Sequence, residues 1–171
     1  MQRRFALALL SRSALAGLVS LALTGCGFKL RGAQNYAFKT LAVLPHPGGA
    51  LAQELRRSFD ASVRLLAPDE PLDKAQLVLD ILQEQREKNV VGVNSSGQVR
   101  EFQLRVRVKF RVRTPQGKEL TPEAEVLLQR DISFNETAVL AKEAEEALLY
   151  RDMQTDAVQQ VLRRLAMVRI D

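Results

Sequence analysis

The hydrophobic pattern is strongest between Val99 and Arg113, where apolar and polar residues alternate. Every even position from Phe102 to Val112 is apolar, and every odd position from Glu101 to Arg113 is polar or charged. Successive side chains of a strand point to opposite faces, so this period of two predicts one long strand with an apolar face and a basic face. Burial of the six apolar side chains contributes on the order of 9–18 kcal/mol as an upper bound, so we expect this strand at the centre of the core.

Three further segments have the pattern of strands that would complete a sheet around this one. Residues 36–44 end in a continuous apolar run, which is typical of a strand buried on both faces. Residues 75–89 alternate as far as Ile81 and then become polar, as expected of a strand that leaves the core. Residues 123–134 alternate again, with Arg130 as the exception on their apolar face. Turn residues at 94–97 and 114–117 predict hairpins on both sides of the central strand, the first with a polar, projecting end.

The register of the second hairpin follows from the two patterns. A register that joins the apolar faces also joins the polar faces, and it sets Glu123 and Glu125 near basic residues of the central strand. Those basic residues are Arg107, Lys109 and Arg111. Exposed cross-strand pairs of this kind contribute only about 0.2–1 kcal/mol each. Arg100 and Arg105 remain without an expected partner.

Two segments have the four-residue period of amphipathic helices. The first repeats at Leu51, Leu55 and Phe59, and the second, within residues 138–166, repeats from Met153 to Leu165. The order along the chain is therefore β-α-β-β-β-α. It predicts an α+β domain with a four-stranded, mostly antiparallel sheet and two helices packed on one face.

The start of the chain has the composition of a lipoprotein signal peptide. Arg3, Arg4 and Arg12 precede an apolar run at 14–23, which is shorter than the roughly 20 residues that span a bilayer. Leu23-Thr24-Gly25-Cys26 is similar to a bacterial lipobox, in which the cysteine sulfur receives a diacylglycerol and the cysteine becomes the first mature residue. The alternative is an ordinary signal peptide with an unrelated cysteine. We predict a signal peptide at 1–25, a lipidated tether at 26–35 and a single domain at 36–171.

This leader accounts for much of the excess positive charge. The chain has 25 Lys and Arg against 20 Asp and Glu, and three of the basic residues lie in the leader, which has no acid. The mature chain would therefore carry 22 basic and 20 acidic residues, a balance that weakens any case for a nucleic-acid partner. Cys26 is the only cysteine, which excludes a disulfide within one copy of the chain.

The composition also restricts catalysis. His46 is the only histidine and lies between two prolines, without a visible partner. With no histidine besides His46, and no thiol once Cys26 is acylated, Ser/His, Cys/His and histidine-based zinc sites are excluded. An enzyme that uses carboxylates alone stays open on composition, but no acidic pair lies in a context that would perturb it. We therefore expect no enzyme, no catalytic residue, no metal and no cofactor.

Three stretches together resemble the LptE family, the lipopolysaccharide-assembly lipoproteins of Gram-negative outer membranes. They are Leu23-Thr24-Gly25-Cys26-Gly27-Phe28-Lys29-Leu30-Arg31-Gly32, Gly97-Gln98-Val99-Arg100-Glu101-Phe102-Gln103 and Val139-Leu140-Ala141-Lys142-Glu143. The order of elements behind the lipobox matches as well, and the resemblance covers essentially the whole mature chain. It implies a four-stranded sheet with two helices on one face.

The resemblance also implies a function and partners. A member of this family sits as a plug inside the LptD β-barrel, supports the assembly of that barrel and helps to insert lipopolysaccharide (LPS) into the outer leaflet. Its implied place is the outer membrane, held by the Cys26 lipid on the periplasmic side of the barrel lumen. The basic sheet surface would face the barrel, since a porin-sized lumen is polar. Its residues are Arg105, Arg107, Lys109 and Arg111.

The implied LPS contacts are basic residues near the hairpin end. Lys142 stands where the family's loop lysine falls, and a cation there suits the phosphates of LPS. Ser95 stands where a basic residue is expected at the hairpin tip, with Lys88 and Arg100 as nearby substitutes. The alternative function is a periplasm-facing lipoprotein that binds a soluble or cell-wall ligand without a barrel partner.

Overall fold

The computed structural model of the protein describes residues 34–170. The predicted leader and Cys26 lie outside these residues. The strands are β1 (Thr40–Leu44), β2 (Arg64–Leu65), β3 (Leu77–Val93), β4 (Val99–Arg113) and β5 (Glu119–Ser133). The helices are α1 (Ala50–Ser58) and α2 (Val139–Ala166), with short 3₁₀ turns at Leu72–Lys74 and Glu136–Ala138.

The strands form one mixed sheet in the order β2-β1-β3-β4-β5. β1 runs parallel to β2 and β3, and β3, β4 and β5 are successively antiparallel, so most of the paired length is antiparallel. The predicted α+β class and the order of elements are confirmed. The sheet has five strands rather than four, because Arg64 and Leu65 add a short strand beside β1. Two residues are too few to show a period of two in the sequence.

The core lies between the sheet and the two helices. The even-numbered side chains of β4 from Leu104 to Val112 are all buried there. They pack with Leu51 and Leu55 of α1 and with the predicted α2 stripe. That stripe is Met153, Ala157, Val161 and Leu165. Of the helices within residues 34–170, none is both long and apolar enough to cross a membrane.

The polar half of β3 stays in the sheet. It pairs with β4 as far as Val93, and no side chain of β3 beyond Asp80 is buried, so the predicted long hairpin that leaves the core is confirmed. A bulge at Leu82 shifts its phase, so that Glu84, Arg86 and Lys88 come to lie on the helix side. There these three side chains make polar contacts with the two helices.

Each of the three contacts joins β3 to a specific part of a helix. Glu84 Oε1 accepts a hydrogen bond from the Leu51 amide at 3.0 Å, which places a carboxylate at the positive N-terminus of α1. Arg86 donates to Gln154 of α2, and Lys88 Nζ lies 2.6 Å from Glu146 of the same helix.

The hairpin turns form where they were predicted. Asn94 and Thr114 begin the two turns, and Gly97 and Gly117 adopt φ values of 77° and 94°. Glycine takes this left-handed conformation without the penalty of a Cβ atom. The end of the first hairpin is less polar than predicted, because three of its valines are exposed: Val90, Val91 and Val93.

Candidate functional site

The sheet face away from the helices, called here the open face, carries the four basic residues predicted to meet a partner. Arg105, Arg107, Lys109 and Arg111 occupy odd positions of β4, opposite in direction to the buried even positions. At the β1 end of this face, a small apolar cluster covers the sheet. Its buried members are Ala42, Ala75 and Val78, and the partly buried Leu44 and Leu66 pack against them. The uncovered part of the open face is therefore limited to β3, β4 and β5.

Acidic residues of the neighbouring strands balance most of these cations. Arg107 pairs with Glu125, and Lys109 Nζ lies 3.2 Å from Glu123, as the predicted register requires. Arg111 lies 3.9 Å from Glu119. Arg105 donates to Gln103 at 2.8 Å and has no ion pair within residues 34–170. The open face is therefore a surface of mixed charge, and not a strongly positive patch.

Asp80 of β3 binds two arginines of β4 at the edge of the open face. Its carboxylate accepts hydrogen bonds from Arg111 Nε at 2.9 Å and from Arg113 Nε at 2.8 Å. Burial by itself would raise the pKa of Asp80, but the hydrogen bonds and charges of Arg113 and Arg111 outweigh it and hold the pKa below its ordinary value. The sequence analysis missed this site, although the pairing of Asp80 with Arg111 follows from the register of the first hairpin.

Two of the three predicted LPS-contact residues come together at the start of α2. Lys88 and Lys142 line one cavity of about 240 Å³ beside the end of the β3–β4 hairpin. Its apolar wall includes Phe102 and Phe134, whose rings meet edge to face at 5.3 Å. We call Lys88 and Lys142 the cation pair.

Each member of the cation pair has an acidic partner on α2. Lys88 Nζ lies 2.6 Å from Glu146 and 4.3 Å from the centre of the Phe102 ring. Lys142 Nζ lies 2.8 Å from Glu145 and 3.0 Å from the Ser133 hydroxyl. An anion that enters the cavity would therefore exchange with carboxylates that already hold these ammonium groups.

Arg100 lies apart from the cation pair. Its carbonyl accepts a hydrogen bond from the Phe134 amide at 2.7 Å, which puts the Arg100 backbone beside that of Phe134. Its guanidinium bonds Gln98 at 3.2 Å, and it is not among the described residues that line the cavity. The sequence analysis missed the aromatic wall, although Phe102 lies in the apolar phase of β4 and Phe134 continues the apolar phase of β5 one residue past its end.

The described residues hold no group of three or more His, Cys, Asp and Glu side chains placed to bind a metal ion. His46 is exposed in the loop between β1 and α1.

Comparison with known proteins gives one consistent family. The family described as "LptE: Lipopolysaccharide-assembly" matches residues 31–165 of the chain. The LPS-assembly lipoprotein LptE of Yersinia enterocolitica is 32% identical over 157 residues, which cover 90% of this chain and 74% of that protein. The LptE of Yersinia pestis strain Pestoides F is 31% identical over the same shares.

Solved structures agree with this match. The solution structure of an uncharacterized lipoprotein B from Nitrosomonas europaea has a TM-score of 0.71 and 34% identity, covering 82% of this chain and 90% of that one. The crystal structure of the rare lipoprotein B from Shewanella oneidensis has a TM-score of 0.62 at 24% identity, covering 75% of this chain and 94% of that one. The second likeness concerns the fold alone.

Proposed function

The chain belongs to the LptE lipopolysaccharide-assembly family, and on that premise we propose that it is a non-enzymatic plug of the LptD β-barrel in the outer membrane. In this role it is anchored by a lipid on Cys26, supports the assembly of the barrel and helps to insert LPS into the outer leaflet. Its partners are the LptD barrel, LPS and the membrane that holds the lipid.

The observation that carries the plug proposal is the uncovered open face across β3, β4 and β5. Half-exposed ion pairs such as Lys109–Glu123 cover this face, and Leu127 lies exposed opposite Arg107. A broad surface of mixed charge suits the polar wall of a barrel lumen. A conventional ligand-binding protein would instead enclose its ligand in a largely apolar pocket.

The cation pair supports contact with LPS. Lys88 and Lys142 present two ammonium groups beside an apolar wall, so a phosphate could replace Glu146 and Glu145 while adjacent apolar groups meet Phe102. The cavity of about 240 Å³ is smaller than the roughly 300–1,000 Å³ of pockets that enclose whole ligands. At the cation pair, this size favours a headgroup contact over enclosure of a whole soluble ligand.

The plug proposal is tested by extraction of the membrane in mild detergent and isolation through a tag on this chain. We expect the LptD barrel to co-purify in a complex that survives size-exclusion chromatography. Recovery of the lipoprotein alone, under conditions in which the barrel itself stays folded, would contradict the plug proposal.

The lipid anchor is tested by Cys26→Ser in cells fed a clickable palmitate analogue. The variant lacks the sulfur that receives the diacylglycerol, so we expect no label on it and strong label on the parent chain. Label that persists on the serine variant would exclude Cys26 as the site of acylation.

The LPS contact is tested with two double variants, Lys88→Ser/Lys142→Ser and Arg100→Ser/Lys142→Ser. Each lost charge-assisted contact should weaken LPS binding by roughly 1–2 kcal/mol, and added salt should weaken binding by the parent protein. Arg151→Ser, an exposed cation elsewhere on α2, is the matched control and should bind as the parent does. Unchanged LPS affinity in both double variants, with the barrel complex intact, would leave a plug and assembly role only.

A further inference from the structure

A second basic surface lies at the opposite end of α2 from the cation pair. Four cations converge there, and we call them the basic end: Lys118, Arg163, Arg164 and Arg169. None of the four lies within 4.0 Å of a carboxylate in the described part of the chain. Glu119, the acid of the same groove, approaches Arg111 instead. In this respect the basic end differs from the cation pair and from most of the open face, where acids accompany the cations.

Apolar side chains accompany the basic end. Arg164 and Met167 are shared by two shallow grooves of about 570 Å³ each, and Leu120 and Val168 line the first. Met167 is 72% exposed and Ile170 is also exposed. Exposed apolar groups among cations are typical of protein surfaces that lie against anionic lipid, where the apolar groups enter the headgroup layer and the cations meet phosphates.

The described residues begin at the basic end, a few positions after the predicted lipid anchor in the sequence. Gln34, at the start of the described residues, lines the second groove together with Arg163 and Arg164. Cys26 lies eight residues before Gln34, and eight extended residues reach at most about 29 Å. An acyl chain on Cys26 would therefore hold the basic end close to the surface of the leaflet that contains it.

We propose that the basic end is a membrane-contact surface that binds the headgroups of anionic phospholipids. The inference rests on the lipid anchor of the proposed function. The contact fixes which end of the domain faces the leaflet, since Lys142 lies 21 residues before Arg163 on α2, or about 32 Å along the helix axis. The cation pair then points away from the anchoring leaflet, toward the place where LPS would be met.

The test uses the mature acylated protein reconstituted into phosphatidylcholine vesicles with or without phosphatidylglycerol. Cys26 is the only cysteine and its sulfur is acylated, so Met167→Cys supplies the only free thiol for a fluorescent label. We expect the label to be shielded from an aqueous quencher only in vesicles that contain phosphatidylglycerol, and less so as salt increases. Ser95 lies at the tip of the β3–β4 hairpin, far from the basic end. A label on Ser95→Cys should therefore stay accessible to the quencher in both kinds of vesicle.

Charge variants then assign the shielding to the basic end. Removal of two cations in Arg163→Gln/Arg169→Gln should weaken contact with the anionic surface roughly 30-fold, and the Met167→Cys label should become accessible. The matched pair Arg130→Gln/Arg151→Gln removes the same charge from exposed positions outside both grooves and should leave the label shielded. Equal loss of shielding in the two pairs would overturn the inference.

Flotation of the vesicles separates this inference from the anchor on which it rests. The protein should float with both kinds of vesicle, because the acyl chains hold it regardless of surface charge. Failure to float would overturn the anchor and the inference together. Flotation with a label at position 167 that stays accessible in phosphatidylglycerol vesicles would overturn the inference alone.

Discussion

Asp80 is the one charged residue that the fold buries within residues 34–170, at 8% exposure. Two guanidinium groups, those of Arg111 and Arg113, hold its carboxylate in the charged form. Because its folded pKa lies below the unfolded value, Asp80 stabilises the native state above the unfolded pKa. That contribution is lost as the pH falls through the folded pKa.

Asp80→Asn should lower the free energy of unfolding at neutral pH by about 1–3 kcal/mol, because the partly buried Arg113 loses its charged partner. The difference from the parent should shrink as the pH falls through the folded pKa, since the parent carboxyl becomes neutral as well. Urea unfolding over a series of pH values measures both effects. Asp69→Asn, at an exposed position, is the control with little effect at any pH. A difference that does not depend on pH would mean that the charge of Asp80 is not what stabilises the fold.

Individual contacts were predictable from the sequence where a strand register determines them. The Lys109–Glu123 pair follows from alternation alone, because the register that joins the apolar faces also joins the polar faces. The meeting of Lys88 with Glu146 does not follow, because it depends on the bulge at Leu82 and on where α2 crosses the sheet. Neither feature leaves a periodic signal in the sequence.

β4 is the element on which the two faces of the sheet can be compared directly. Val106 is buried in the core, whereas its neighbour Arg107 lies on the open face and pairs with Glu125. Val106→Asp would bury an unpaired charge and should cost several kcal/mol out of a typical total of about 5–15, which is enough to unfold the domain. Arg107→Ser removes a half-exposed ion pair and should change stability by less than about 1 kcal/mol.

Urea unfolding of the two β4 variants, followed by circular dichroism, makes the comparison. Similar losses in both would mean that the two faces of β4 are assigned the wrong way round. Preserved folding in Val106→Asp would show that β4 is not central to the core.

At this scale the sequence predicted most where a pattern runs without interruption. The bounds of β4 agree with the alternation from Val99 to Arg113. β5 begins at Glu119 rather than at 123, because an edge strand accommodates Pro122 and its irregular pairing near Val112. The two-residue β2 depends on a parallel pairing with β1 that only the tertiary fold creates.

For the molecule as a whole, the plug proposal requires the open face to meet the barrel. Leu127 is an exposed apolar residue of β5 on this face, at 42% exposure. Leu127→Asp should weaken recovery of the barrel at least roughly 10-fold, the scale of burying a charge at an interface, while the stability of the free protein changes by less than about 1 kcal/mol. Tagged pull-down with quantified barrel measures the first, and urea unfolding measures the second.

Leu148→Asp is the matched control, since Leu148 is exposed on α2 on the other side of the sheet. We expect it to recover as much barrel as the parent chain does. Loss of the barrel from the Leu148 variant but not from the Leu127 variant would place the partner on the helix side and contradict the assignment of the open face.

The distance along α2 between the basic end and the cation pair is close to the thickness of a membrane. The part of α2 between Lys142 and Arg163 measures about 32 Å, close to the roughly 30 Å hydrocarbon core of a bilayer. With the basic end at the periplasmic headgroups, as proposed above, and with α2 along the membrane normal, Lys142 would reach the height of the outer headgroups. A helix two turns shorter would stop about 11 Å below that height. Lys142 would then lie at the height of the hydrocarbon layer, too low to reach the phosphates of the outer leaflet.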